Sequence, residues 1–289
     1  MEYQIENNRL FKYNENIIAI TDFKSDVDFT TDETGYKLIE ALKPTKFEQV
    51  GKDIKITNDA GKSATIKTIE SKRPTFDYND MVSEFEINVK HLRIAKEFVD
   101  KKALKPVLSG VYINSKSTII ATDVIKMFAI DKGDSDQYIV VPTDFIEELE
   151  VSETAKIKFN KFIACVSTEH KIVYGRLVMG NYPNVSKLIR DINWNGQPAN
   201  FETFNEELKV GRLVGQNVLV EFDGDKATFK DANIYEGTNT IQLNGSFMLS
   251  TLEAVAKYLK NPSVASEGNR MPARFKENGI TYVICQTIM

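Results

Sequence analysis

The stretch Ile17–Asp22 reads IIAITD, and nearly the same letters return at 118–123 as TIIATD. Behind each copy comes a segment whose apolar residues recur at helical spacing, and then a segment that alternates like a strand. The helix-like segments start near residues 35, 143 and 246. A unit that returns at intervals of roughly 100 residues indicates tandem copies of one αβ domain, and so a scaffold before an enzyme.

The composition is that of an ordinary folded protein. The 289 residues are 42% hydrophobic and 27% charged, with a net charge of −4. No apolar run has the length of a membrane helix, and the first residues lack the basic-then-apolar pattern of a signal peptide. The two cysteines, Cys165 and Cys285, lie far apart in sequence. A reduced, cytoplasmic protein that does not contact membranes is the simplest interpretation.

Metal and nucleotide sites lack their usual ligand patterns in this sequence. The two histidines, His91 and His170, belong to no His-x-x-x-His motif, and neither cysteine is part of a Cys-x-x-Cys pair. The glycine-rich phosphate-binding loops are absent as well. The sequence therefore predicts no metal, no cofactor and no catalytic residue, which disfavours a small-molecule enzyme on an unrelated repeat fold.

The helix and strand patterns divide the chain into three tandem units, 1–84, 85–192 and 193–289. The middle unit shows every element: a strand, a long amphipathic helix over 88–102, three strands, a short helix and three more strands. We expect the first unit to lack its opening helix and the third unit to be shortened.

Two smaller expectations follow from the same patterns. The stretch 200–207 has room for one helical turn at most, so the third unit should also lack its opening helix. Hairpins are predicted at 53–69 and at the end of the chain, where Asn278 and Gly279 mark a tight turn between alternating segments.

Several segments resemble the bacterial beta sliding clamp, the processivity subunit of DNA polymerase III. They are LKPVLSGV at 104–111, IATDVIKM at 120–127, GNYPNVSKLI at 180–189 and the closing YVI at 282–284. Their order and spacing carry the resemblance, which spans most of the chain. It implies an α+β DNA-clamp fold, in which tandem αβ units place antiparallel sheets outside and helices toward a central pore.

The function that this resemblance implies is processivity. Two three-unit chains would close a homodimeric ring around duplex DNA of any sequence and tether a replicative polymerase, which raises the polymerase's effective concentration. DNA polymerase and the clamp loader would bind through short apolar motifs. By position, Ala64 and Ile66 would lie at the ring interface. The alternative is a clamp-like peptide-binding module that does not encircle DNA and regulates or competes with a host clamp.

A pore must attract phosphates without reading bases, so basic helix residues are the candidates for DNA contact. These residues are Lys37, Lys43, Lys90, Arg93, Lys96, Lys101, Lys102, Lys105, Lys257 and Lys260. A solvated helix face is the competing interpretation of such lysines. The acidic residues near the middle unit's short helix, Asp144, Glu147, Glu148 and Glu150, argue against a strongly basic pore.

The second surface that the resemblance implies is a cleft for apolar peptides between the middle and C-terminal units. By position its residues are Leu108, Thr122, Val124, Ile125, Lys126, Met127, Pro183, Lys187, Leu188, Val283, Cys285, Gln286, Thr287, Ile288 and Met289. Where the family has Gly-His-Arg, this chain has Val-Ile-Lys at 124–126, and its last five residues also differ. We therefore expect an apolar cleft with an altered shape.

Overall fold

Two compact units make up the structure. The computed structural model describes residues 1–151, 154–189, 196–266 and 271–287. The first unit consists of Met1–Lys90 and Val141–Met179, and the second of His91–Val140 and Gly180–Met289. No helix within the described ranges is long and apolar enough to cross a membrane. The three-unit division stays a prediction.

Strands and helices follow one another in an order that repeats. The first run is β1 (Glu2–Glu6), β2 (Arg9–Tyr13), β3 (Ile17–Asp22), β4 (Phe29–Asp32), α1 (Glu33–Leu42), β5 (Lys46–Val50), β6 (Asp53–Thr57) and β7 (Ser63–Ile66). The second run is β8 (Ser83–Ile87), α2 (Val89–Ala95), β9 (Gly110–Asn114), β10 (Ile119–Thr122), β11 (Lys126–Ile130), β12 (Tyr138–Pro142), α3 (Thr143–Glu148), β13 (Ala155–Phe159), β14 (Ile163–Ser167) and β15 (Lys171–Arg176).

The third run repeats the second element by element. After the short helix α4 (Ser186–Ile189) come β16 (Gln197–Pro198), α5 (Phe201–Gly211), β17 (Leu219–Asp223), β18 (Lys226–Lys230), β19 (Ile234–Thr238), β20 (Gly245–Met248), α6 (Leu249–Ala256), β21 (Ser263–Ser266), β22 (Ala273–Glu277) and β23 (Ile280–Ile284). Short 3₁₀ helices cover Lys96–Phe98, Pro106–Ser109 and Arg212–Val214. The tandem αβ repeat predicted from the sequence is present in this order of elements.

Two eight-stranded sheets share one plan. Their strand orders are β4-β1-β2-β3-β15-β14-β13-β8 in the first unit and β12-β9-β10-β11-β23-β22-β21-β16 in the second. In each sheet the second strand before a helix, β3 before α1 and β11 before α3, pairs antiparallel with the last strand of the next run, β15 and β23 respectively. The other sheets are smaller, with the orders β19-β18-β17-β20 and β5-β6-β7. The predicted α+β class is confirmed.

The two similar sequence copies are not structurally equivalent, which corrects our starting alignment. The first copy is β3, the second strand before helix α1, whereas the second copy contains β10, the third strand before helix α3. The counterpart of β3 is β11. The copies resemble each other because both are largely buried interior strands with an aspartate at or just after the strand end, Asp22 and Asp123. The repeat is real, but the letters that suggested it are offset by one strand.

The expectation of one helical turn at 200–207 was wrong, because α5 runs for 11 residues. The Asn200 side chain caps its first turn by accepting the Glu202 amide at 2.9 Å. Phe201, Phe204 and Leu208 are buried along one face. The acidic residues between them obscured this apolar stripe in the sequence, although its spacing is helical. The opening helix of the third run is therefore present.

The long helix predicted over 88–102 is shorter in the structure. Helix α2 ends at Ala95 and gives way to the 3₁₀ turn Lys96–Phe98, after which Val99 has an extended backbone. The Phe98 ring explains this ending, since it lies fully buried, 5.9 Å from the Phe128 ring and 5.6 Å from the Tyr282 ring. Tertiary packing of this aromatic residue outweighs the local helical pattern.

Candidate functional site

A hydrophobic cluster covers one face of the β11–β23 pairing in the second unit. We call this face the linker face, because the segment 180–189 packs on it through Tyr182, Val185 and Ile189. Its buried members are Ile120, Met127, Ala129 and Val283. Alternate residues of a strand point to the same face, which puts Met127 and Ala129 side by side. Met127 lies opposite Val283 in the strand register.

Tyr182 anchors the segment 180–189 to the linker face. Its hydroxyl donates to the Ile120 carbonyl at 3.4 Å, and its ring centre lies 5.2 Å from that of Tyr112. Burial raises the pKa of Tyr182, so the hydroxyl keeps its proton and remains a donor. Sequence reasoning missed this residue, although an aromatic residue before Pro183 within the family-like segment was the available signal.

The turn between β10 and β11 lies next to the linker face and contains predicted cleft residues. The Asp123 carboxylate accepts the amides of Ile125 at 3.0 Å and Lys126 at 2.7 Å. The segment after β23 binds the turn from outside, since the Cys285 amide donates to the Ile125 carbonyl at 2.7 Å. Val124 has a positive φ of 77°, a region that β-branched residues rarely adopt.

Exposure divides the predicted cleft residues into two groups. Val124 is 68% exposed, Ile125 is 55% exposed and Leu188 is 40% exposed. The buried group, which forms core, consists of Leu108, Thr122, Met127 and Val283. An apolar pair stands out into solvent at 124 and 125, beside a buried apolar base. This arrangement suits a partner that inserts apolar side chains.

The Lys126 charge is used inside the protein. Its ammonium lies 2.7 Å from the Asp123 carboxylate, donates to the Glu97 carbonyl at 3.0 Å and sits 5.3 Å above the Phe98 ring. If Lys126 is a cleft residue as predicted, a partner would therefore contact its aliphatic carbons or its backbone and not its ammonium group. With Lys126 and Asp123 paired, the turn presents mainly apolar side chains.

The last residues of the chain bind backbone groups near β20. The Gln286 side-chain amide donates to the carbonyls of Asn244 at 3.2 Å and Met271 at 2.9 Å, and the Thr287 amide donates to Ser246 at 2.8 Å. The predicted cleft residues Ile288 and Met289 lie outside the described residues, as does the Lys187 side chain. Pro183 lies on the segment that packs on the linker face.

Several residues that we predicted to contact DNA take part in ion pairs within the protein. Lys37 pairs with Glu33 at 2.8 Å one helical turn away, and Lys257 pairs with Glu97. Lys90 and Arg93 lie on α2, and Lys96 begins the following 3₁₀ turn. The other predicted residues follow helices or precede a turn in the sequence: Lys43 just after α1, Lys101, Lys102 and Lys105 before the Pro106–Ser109 turn, and Lys260 after α6. Contact with DNA stays a prediction for all ten.

The acidic residues of α3 are used within the first unit. The Glu148 carboxylate is 8% exposed and lies 2.6 Å from the Lys12 ammonium and 3.0 Å from that of Lys171. Asp144 accepts the Asn14 side-chain amide at 3.3 Å. Burial alone would raise the pKa of Glu148, but the hydrogen bond from Lys12 and the charge of Lys171 outweigh burial and hold this pKa below its ordinary value. These two acids therefore do not form an exposed acidic face.

The predicted ring-interface residues lie on β7, at one edge of the sheet β5-β6-β7. Ile66 is 1% exposed and packs in the core of the first unit, while Ala64 is partly buried against the same core. Sequence reasoning named no residue of β19, an edge strand of the sheet β19-β18-β17-β20, where Ile234 is 68% exposed. An exposed isoleucine at the start of a short strand was the signal available for it.

Comparisons with known proteins agree at the level of fold. No protein-family model matches the chain, and no curated protein matches it. The DNA polymerase III beta subunit of Thermotoga maritima is 12% identical with a TM-score of 0.81, and the match covers 100% of this chain and 90% of that one. The Streptococcus pneumoniae beta chain is 17% identical with a TM-score of 0.76, covering 100% and 91%.

A third solved structure was determined with a peptide. It is the Helicobacter pylori beta clamp bound to a DNA ligase peptide, 14% identical with a TM-score of 0.73, and the match covers 100% of this chain and 91% of that one. Identities this low show the fold alone. The chain therefore has the fold of the DNA polymerase III beta sliding clamps, as its sequence motifs predicted.

Proposed function

We propose that this protein is a sliding clamp, a processivity factor without enzymatic activity that encircles duplex DNA and tethers a replicative polymerase. The observation that carries the proposal is a pair of incomplete sheets. Each eight-stranded sheet joins the second strand before a helix, β3 before α1 or β11 before α3, to the last strand of the next run. Strand β19 is the second strand before α6 and β7 is the last strand of its run, and each lies at a sheet edge that no strand of the described residues pairs with.

Pairing β19 of one copy with β7 of a second copy would extend the same plan between chains. The joined sheet would have the order β20-β17-β18-β19-β7-β6-β5, and two such joints would close a homodimeric ring. Open edges are prone to pair with other chains, so natural proteins usually cover them. The ring gives both edges a partner, with Ala64 and Ile66 on the β7 side.

Exposed apolar side chains near β19 support an interface there. The Tyr235 hydroxyl of β19 donates to the Glu207 carboxylate of α5 at 2.6 Å, so strand and helix are bound together. Val210 at the end of α5 is 42% exposed, Leu213 just after it is 82% exposed and Ile234 is 68% exposed. Apolar groups beside an unpaired edge are typical of a surface that another chain covers.

The solution mass tests the ring. We expect light scattering to give twice 32.7 kDa over a range of concentrations. Ile234→Asp places a charge in the joint and should yield monomers, while Val50→Asp, a matched change at a residue 55% exposed on β5, should leave the dimer intact. A wild-type protein that is monomeric at every concentration would favour the peptide-binding module that does not encircle DNA.

Retention on circular DNA tests the pore. We expect the triple charge reversal of Lys90, Arg93 and Lys96 to shorten the lifetime of the clamp on a nicked circle. The dependence of retention on log salt should become shallower by roughly one for each lost phosphate contact. A control reversal of three exposed lysines on turns, Lys24, Lys52 and Lys116, should have little effect. Equal lifetimes for the helix variant and the control would remove α2 from the DNA surface.

The peptide cleft of the proposed clamp would lie at the turn 123–126, beside the segment 180–189 that covers the linker face. Its partners would be the polymerase and the clamp loader, each through a short apolar motif. The support is the apolar pair at 124 and 125 beside the buried base of Met127 and Val283. The cytoplasm, where such partners copy DNA, is the location that this function predicts.

A further inference from the structure

A cavity of about 320 Å³ lies in the second unit, at the end of β10 and β11 that is opposite to the turn 123–126. Thr118, just before β10, and Asp131, just after β11, both line it. Of the residues that we predicted for the peptide cleft, only Pro183 is among the described residues that line this cavity. The cavity is therefore a separate feature, and it has no role in the proposed ring or cleft.

Three tyrosine rings line the cavity. Tyr112 of β9 lies opposite Ile120 of β10 in the strand register. The Tyr138 ring of β12 stacks on the Tyr112 ring, with ring centres 5.0 Å apart and planes 28° apart, and the Tyr182 ring centre lies 5.2 Å from that of Tyr112. All three tyrosines are only partly buried. The face of an aromatic ring carries partial negative charge and attracts cations, most strongly where water is partly excluded.

Carboxylates from the loop after β11 line the same cavity. They belong to Asp131, Asp134 and Asp136, of which the last two are exposed. No lysine or arginine occurs among the described residues that line the cavity, and the nearby Lys116 and Lys132 are exposed to solvent outside it. Negative charge is therefore concentrated beside the tyrosine rings.

Hydrogen bonds to neighbouring strands hold this loop in place. The Asn114 side-chain amide and the Thr118 hydroxyl, both buried, each donate to the Gly133 carbonyl at 2.8 Å. The Lys132 amide donates to the Thr118 hydroxyl at 2.9 Å. A loop that is already fixed loses little conformational entropy when a ligand binds, which favours affinity.

The combination of rings and carboxylates fits an organic cation. Within the described residues no group of three histidine, cysteine or acidic side chains is placed to hold a metal ion. A guanidinium group is planar and weakly hydrated, so it can stack on a tyrosine ring while its N–H groups donate to carboxylates. An ammonium group is more strongly hydrated and has no flat face to stack. We propose that this cavity binds an arginine side chain of a partner protein, between the tyrosine rings and the carboxylates of the loop.

Titration with an arginine derivative tests this site. The probe is N-acetyl-arginine amide, and N-acetyl-citrulline amide is the uncharged control of nearly the same shape. Ring signals of the tyrosines are followed by NMR in the full-length protein with ¹³C-labelled tyrosine, and single Tyr→Phe variants assign them. We expect the arginine probe to shift the Tyr112 and Tyr138 signals with a dissociation constant on the order of 1–10 mM. The citrulline probe should leave both signals unchanged.

A pair of aspartate variants tests the contribution of the carboxylates. Asp134→Asn with Asp136→Asn should weaken binding of the arginine probe at least about fivefold, because two charge-assisted hydrogen bonds are lost. Asp223→Asn with Asp225→Asn is the matched control, since it removes two exposed carboxylates from the turn between β17 and β18 of the same unit. This control should leave binding unchanged.

Two variants of Tyr138 test the contribution of the ring. Tyr138→Phe keeps the aromatic face, so binding of the arginine probe should stay within about twofold of wild type. Tyr138→Leu keeps an apolar side chain without that face, and binding should weaken about fivefold, as followed by the Tyr112 signal. Should Tyr138→Leu fail to fold, the two aspartate pairs decide the question alone.

The opposite results would overturn the proposal. Equal shifts from the arginine and citrulline probes would mean that the cavity does not select a cation. Equal weakening in the two aspartate pairs would mean that the net charge of the protein, and not this cavity, attracts the probe. Absence of any shift at 50 mM probe, about five times the weakest expected dissociation constant, would exclude the site. None of these results depends on whether the protein forms a ring or binds an apolar peptide, so the proposed function is tested separately.

Discussion

The two eight-stranded sheets have equivalent strand orders. Different residues cover the place where two runs join in each sheet, which is the pairing of β3 with β15 in one and of β11 with β23 in the other. In the first unit, Phe76 packs with Phe11, Ile18 and Ile163 across the joint of β3 and β15, and the Arg176 guanidinium lies 5.1 Å above the Phe76 ring. In the second unit, the segment 180–189 covers the corresponding joint of β11 and β23. One framework thus carries two different surfaces.

The equivalent turns show where the difference lies. In each of the turns 14–17, 123–126 and 160–163, the side-chain oxygen of the first residue accepts the amides of the third and fourth residues. The turn 14–17 precedes β3 and presents the polar residues Glu15 and Asn16, both exposed, to solvent. The turn 123–126 precedes β11 and presents a strained valine and an isoleucine instead. Because the sheets and the turn bonds are alike, a few side chains and one φ angle account for the candidate site. This fold therefore repeats its scaffold without repeating the exposed side chains of its turns.

Charge burial is the second contrast, and it gives the largest expected effect. Glu148, 8% exposed, is shared by two lysines in the first unit, whereas in the second unit the Glu97–Lys257 pair has side chains 42% and 50% exposed. We expect Glu148→Gln to destabilise the protein by about 3 kcal/mol, because Lys12 and Lys171 lose their buried counter-charge. Glu97→Gln, the matched control, should cost about 1 kcal/mol or less. Urea unfolding followed by circular dichroism measures both.

The difference in unfolding free energy between wild type and Glu148→Gln should depend on pH, and the direction of that dependence follows from the pKa of Glu148. The pKa of Glu148 is lower in the folded protein than its ordinary value, so the stability it contributes is fully present above the unfolded pKa, about 4.3 for a glutamate. This contribution disappears as the pH falls through the lower, folded pKa. The stability gap between wild type and Glu148→Gln should therefore be constant at neutral pH and shrink in acid. A gap that widened in acid would contradict the buried ion triad.

The repeat order could be predicted from periodicity, and the clamp fold was implied by the resemblance of four segments between 104 and 284 to a known family. The hairpin at Asn278 and Gly279 forms as predicted, with φ angles of 52° and 79°. The alternating segments on either side of it became β22 and β23. Local patterns of this kind carry their own structural information.

The remaining features depend on contacts between residues far apart in sequence. The φ of Val124 is fixed in part by Cys285, 161 residues away, so the letters around the turn cannot reveal it. The sequence pattern around Glu148 indicates an exposed acidic helix residue, whereas in the structure Glu148 is buried and paired with Lys12 and Lys171. The cleft positions came from a resemblance, whereas the strain and the ion triad come from the three-dimensional structure alone.

We expect the smallest changes in stability from glycine substitutions in the turns 14–17, 160–163 and 123–126. Glu15→Gly and Lys161→Gly replace residues without a positive φ, so they should destabilise the protein by about 0.5–1 kcal/mol through the extra freedom of the unfolded chain. The carbonyl of residue 15, which accepts the Arg176 side chain at 3.1 Å, is kept in the glycine variant. Val124→Gly pays the same entropic cost but relieves strain of about 1–3 kcal/mol, so its net effect should have the opposite sign.

Unfolding free energies of these three variants, measured side by side in urea, decide whether the strain is real. Opposite signs would mean that the turn at 123–126 stores energy that its two counterparts do not, although the three share the same hydrogen bonds. Equal destabilisation in all three would mean that the positive φ of Val124 costs nothing. The turns 14–17 and 123–126 would then differ mainly in the polarity of their exposed side chains, and stability would not explain why a valine stands at position 124.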